Sequence, residues 1–94
     1  MIKAAIVVPA AQRVLEVIRA THSKKRANWM VWAKPYAEAL VSSQINYETG
    51  LYLADDIEQI ILYLLSNLAT WRGPVAIEVK AELRRALENI YGHN

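Results

Sequence analysis

No cysteine occurs anywhere in the 94 residues, which excludes disulfide frameworks, zinc ribbons and thiol nucleophiles. Glycine is almost as scarce. Gly50, Gly73 and Gly92 stand alone, so there is no glycine-rich phosphate loop and no GxGxxG turn. Histidine is limited to His22 and His93, with no HExxH, DxDxDG or paired-histidine spacing for a metal. Long apolar runs are missing as well. The longest uncharged stretch, Gln59 to Trp71, has 13 residues, whereas a membrane span needs about 20. The apolar start after Lys3 is interrupted at Pro9, with Gln12 and Arg13 close behind. A signal-peptide core would be too short, and a mature N-terminus is expected. These absences predict a cytoplasmic protein with no membrane segment, no metal and no cofactor.

Phenylalanine is also absent, while three Trp and five Tyr are present. Every aromatic ring therefore carries a polar handle, a type enriched where one end of a side chain is dry and the other wet. With 54% hydrophobic and 21% charged residues, the chain has the composition of a single globular domain over residues 1–94. So small a domain buries only roughly 60–65% of its unfolded surface, which favours pairing of subunits.

Charge is unevenly placed. Through Ala37 there are seven bases against the single acid Glu16, a net +6; from Glu38 onward four bases face eight acids, a net −4. Such a split predicts an interaction surface, or two halves that attract each other within one chain or between two.

Apolar spacing predicts an all-α protein, a small four- to five-helix bundle with a C-terminal antiparallel αα-hairpin as its core. Lys3–Val8 reads as a short strand or an extended arm, with helix left open, and Pro9 suits the first position of a helix whose buried stripe is Ala11, Val14, Leu15 and Ile18. Asn28 is the expected N-cap of a second helix carrying Trp29, Trp32, Ala33, Tyr36 and Leu40 at helical spacing. At Pro35 either the helix kinks or a short turn precedes a new helix that begins there, and the second is slightly preferred. Residues 42–53 carry loop chemistry compatible with a small hairpin. Asp55 and Glu58 form an acidic variant of the capping box before Ile57, Ile60, Ile61, Leu64, Leu65, Leu68 and Trp71, four turns that end at Gly73 as C′. A last helix over residues 75–91 matches it in length and turns inward Ala76, Val79, Leu83, Ala86, Leu87 and Ile90, with Glu78, Glu82, Arg85 and Asn89 outward.

No constellation supports catalysis. His22 ends an apolar stripe, as a structural imidazole does. The pair Asp55–Asp56 is explained by capping, and Ser23, Ser42, Ser43 and Ser66 have no elbow motif or base. Two surfaces remain. Leu62 and Tyr63 lie on flanks of the third helix that a surface helix would make polar, which predicts a homodimer interface. The segment 19–36 carries Arg19, Lys24, Lys25, Arg26 and Lys34 with Trp29 and Trp32 interleaved, and no acid. It predicts contact with a protein partner, or with nucleic acid through phosphate neutralisation and base stacking. The reading is a small non-enzymatic interaction or regulatory protein that forms homodimers. The alternative is a nucleic-acid-binding protein, and an enzyme with scattered residues comes third.

Overall fold

In the computed structural model, residues 2–90 are described, with side chains for residues 2–88. The helix order is α1 (Ala4–Ala20), a 3₁₀ turn (Ser23–Lys25), α2 (Asn28–Val41), α3 (Ile57–Asn67) and α4 (Pro74–Ile90). Between α2 and α3 lie three two-residue strands, β1 (Ile45–Asn46), β2 (Leu51–Tyr52) and β3 (Asp55–Asp56). They form an antiparallel sheet in the order β1-β2-β3, pairing Ile45 with Tyr52 and Leu51 with Asp56. The protein is thus mostly helical, but the all-α expectation is corrected by this small sheet. The hairpin foreseen at 42–53 forms, and a third strand extends it.

Pro9 and Pro35 both lie inside helices rather than at the first helical position. Lys3–Val8 is neither strand nor arm, because α1 already runs from Ala4 through Pro9. The buried Ile2 and Val7 supply the reason: they join the same apolar core as Ala10, Ala11, Val14, Leu15 and Ile18, and burying each stabilises by roughly 1.5–3 kcal/mol. That offsets the hydrogen bond that Pro9 cannot give to the Ala5 carbonyl. Helix α2 likewise continues through Pro35 instead of restarting there, since Trp29, Met30, Ala33, Ala37 and Leu40 form one buried stripe spanning it. Asn28 is the first helical residue and Ala27 the N-cap, without a side-chain bond.

Capping at α3 also differs. The N-cap is Asp56, not Asp55, and its side chain makes no capping bond, because Asp55 and Asp56 are engaged as a strand. Helix α3 stops at Asn67 rather than reaching Trp71, and Leu68 to Trp71 continue as tight turns in which Trp71 N–H donates to the Leu68 carbonyl (3.0 Å). Gly73 accordingly serves the following helix, not the preceding one. Its φ is +110° and its carbonyl accepts from Ile77 N–H at 3.1 Å, with Pro74 at the first helical position. The two C-terminal helices therefore have unequal lengths, 11 and 17 residues.

They also pack chiefly on other helices: α3 lies along α2, α2 along α1, and α1 along α4, with only slight contact between α3 and α4. The core runs through all four, with Val14, Ile18, Leu40, Ile57, Ile61, Leu64, Leu68, Val79 and Leu83 fully buried. The expected inward set of α4 is buried as far as Leu87. The side chains of Ile90 and Asn89, the expected end at Tyr91, and His93 lie outside the described residues. No helix among the described residues is long and apolar enough to cross a membrane.

Candidate interaction face

Helix α2 is zipped to α3 and the turns that follow it by three contacts whose residue numbers sum to a nearly constant value, the signature of an antiparallel pair. Trp29 stacks on Trp71 with ring centroids 4.9 Å apart and an interplanar angle of 24°. The Asn67 side-chain amide donates to the Trp32 carbonyl at 3.3 Å. Tyr36 and Tyr63 meet with ring centroids at 5.7 Å. The register follows from spacing, since residues 29, 32 and 36 share one edge of α2 while 63 and 67 share the opposing edge of α3 and Trp71 follows in the turns beyond it.

Outside this seam the two helices carry apolar side chains into solvent. Trp32 is 60% exposed, Val31 62%, Tyr63 53% and Leu62 39%, and Pro35 is exposed beside them. At one end of the seam Trp29, Trp32, Asn67 and Thr70 line a groove; at the other, Tyr36, Tyr63, Gln59, Asp55 and Asp56 line a second.

Charge is sorted by end of the molecule. The 3₁₀ turn with Lys24 and Lys25, the α1 terminus with Arg19, and Arg72 after the stacked Trp71 all belong to the end where α2 begins. Glu48, Asp55, Asp56 and Glu58 belong to the hairpin end, together with Lys3, because Ile2 shares a hollow with Tyr47, Gly50, Asp56 and Glu58. Glu16 is the one acid in α1. Lys80 adds to the cationic crowding: its ammonium donates to the Trp71 carbonyl at 2.6 Å. Desolvation first, then repulsion from Arg72 and Arg84, lower its pKa below the usual lysine range.

The basic Trp-bearing segment is not a single surface. Arg26 is committed to α1, its Nε donating to the carbonyls of Ile18 and Thr21, both at 3.2 Å, which satisfies the orphan acceptors of a helix C-terminus. Trp29 is buried at 6% exposure. Arg19, Lys24, Lys25 and Lys34 are exposed, and Trp32 with them. His22 caps the 3₁₀ turn, Nδ1 accepting from Lys24 N–H at 3.2 Å. Trp32 shares the helical spacing of Trp29 and Tyr36 but lies outside the buried stripe of Trp29, Met30, Ala33, Ala37 and Leu40.

The hairpin is held by bonds that spacing could not reveal. The Tyr47 hydroxyl donates to the Leu40 carbonyl at 2.7 Å, tying the sheet to the last turn of α2. Desolvation raises its pKa to about 12. The Asn46 side chain accepts from Glu48 and Thr49 N–H at 2.9 and 3.2 Å, and Gly50 turns the chain at φ +77°. Leu53, 64% exposed, takes φ +55° in the two-residue turn between β2 and β3. Among the described residues no group of three or more His, Cys, Asp or Glu side chains could hold a metal ion. No family model, curated protein or solved structure matches this chain.

Proposed function

We propose that this chain is a small non-enzymatic interaction module that forms homodimers and docks through the outer face of α2 and α3. The observation that carries the reading is the exposure of Val31, Trp32, Leu62 and Tyr63 on two adjoining helices. Single apolar residues scattered on a surface are ordinary, whereas four on two adjoining helices, an indole and a phenol among them, have the composition of a docking site. The face is about 21 Å long, from 14 residues of α2 at 1.5 Å each, and roughly two helix diameters wide. An interface of that extent is at the small end of specific ones, so association is expected on the order of micromolar or weaker.

Nucleic acid is a less favoured partner, because Arg26 and Trp29 are spent inside the protein. Sedimentation equilibrium tests the reading. At high concentration the mass should approach twice the 10.6 kDa of the chain, and Leu62→Glu or Tyr63→Glu should return it to the monomer. Unchanged masses in both variants would rule this face out.

A further inference from the structure

We propose that two copies pair antiparallel across this face, each placing Trp32 in the other's Tyr36–Tyr63 groove and its Lys24–Lys25 end against the other's Asp55–Asp56 end. The inference rests on the docking reading above and adds the occupant and its orientation.

Three features of the face select a second copy turned end for end. The first is a projection with a matching recess. Trp32 stands 60% exposed, and the groove at the other end of the seam is lined by Tyr36 and Tyr63, whose rings pack on each other with centroids 5.7 Å apart, together with Ile60, Gln59 and the carboxylates Asp55 and Asp56. An indole needs an apolar slot and an acceptor for its N–H, and that groove offers both. Within its own chain Trp32 lines the groove at the opposite end of the seam, with Trp29, Asn67 and Thr70.

The second feature is register. From the level of the Tyr36–Tyr63 pair, α2 begins about 12 Å away in one direction and α3 begins about 9 Å away in the other, at 1.5 Å per residue. The lysines sit just before the first, the aspartates just before the second. A two-fold axis crossing the face between the levels of Trp32 and Tyr36 therefore superposes unlike ends. Such an axis makes every contact twice, as an isologous interface requires.

The third feature is the sign of the charges. A parallel pairing would set Lys24 and Lys25 against themselves and Asp55 and Asp56 against themselves; the antiparallel one sets each against its opposite. Charges at an interface rim govern orientation and encounter more than raw affinity, and here they penalise the wrong orientation directly.

Charge reversal tests this with the full chain, read by sedimentation at low salt. Lys24→Glu with Lys25→Glu sets acids against the partner copy's Asp55 and Asp56 and should weaken self-association about tenfold, the equivalent of about 1.4 kcal/mol. Asp55→Lys with Gln59→Lys sets cations against the partner copy's Lys24 and Lys25 and should do the same. All four changes in one chain restore opposite ends and should restore the wild-type dimer, and an equimolar mixture of the two double variants should form a 1:1 heterodimer. Circular dichroism of each variant checks that the helices are retained. Dimers lost with Tyr63→Glu but indifferent to both charge reversals would overturn the orientation while leaving the docking face intact. A wild-type chain monomeric at every concentration would overturn both, as would binding of single-stranded oligonucleotide by that monomer through Trp32.

Discussion

Replacing Pro35 by Ala should stabilise the protein, although proline stands in the middle of a well-packed helix. Position 35 is exposed, so alanine meets no clash and removes no buried surface. It supplies the N–H that proline lacks, whose acceptor is the carbonyl of Val31 four residues earlier. Proline in a helix interior costs ~3 kcal/mol relative to alanine. Two effects reduce that figure: Val31 is 62% exposed, so water reaches its carbonyl, and proline stiffens the unfolded chain by an amount worth ~0.4–1 kcal/mol. A gain of about 1–2 kcal/mol remains, equivalent to a Tm about 5–15 °C higher for a domain of this size. Thermal unfolding followed by circular dichroism reads it, in dilute protein so that self-association adds nothing. A Tm equal to or below that of the wild type would refute the claim that the core stripe carries α2 through Pro35 against the preference of that residue.

Alkaline titration should expose the role of Tyr47. Its pKa is raised to about 12 from an ordinary value near 10, so the folded state holds the phenolic proton more firmly than the unfolded chain. The stabilisation is complete below about pH 10 and declines as pH rises toward 12. Tyr47→Phe should flatten that decline in denaturant melts and lower stability at neutral pH by ~1 kcal/mol through loss of the bond to Leu40; an unaltered alkaline profile would show that another group governs it. Leu53→Gly should raise stability by ~0.5–1 kcal/mol, since a left-handed backbone costs a side-chain-bearing residue roughly 1–2 kcal/mol, partly offset by the greater entropy of unfolded glycine. Urea midpoints decide it, and a fall would mean that the exposed leucine packs on something.

The regular parts of the fold were legible because burial imposes a period. The stripes Ala11–Ile18, Ile57–Leu68 and Ala76–Leu87 are readable from spacing alone, and each is buried. Local punctuation was less trustworthy. Pro9 and Pro35 read as helix starts, but a continuous apolar stripe on both sides outweighs the hydrogen bond each one forfeits. Asp55 and Glu58 read as a capping box, yet Asp55 is used to pair with Tyr52 across the sheet, a partner set by hairpin register rather than by spacing within the helix. The exposure of Leu62 and Tyr63 followed from their place on the wheel. What the sequence could not disclose was the division of the basic segment, in which Arg26 closes the end of α1 and Trp29 finds Trp71. Those partners lie across turns whose path no local pattern specifies. The charge split along the chain becomes a split between ends only because successive helices reverse direction.

Collisional quenching of tryptophan fluorescence across a concentration series bears most directly on the α2–α3 face as the site of association. At low concentration one of the three indoles, Trp32, should be open to iodide while Trp29 and Trp71 stay shielded; as the mass doubles, that open fraction should vanish. An indole still quenched in fully dimeric protein would contradict the account, because the copies would then be meeting somewhere else.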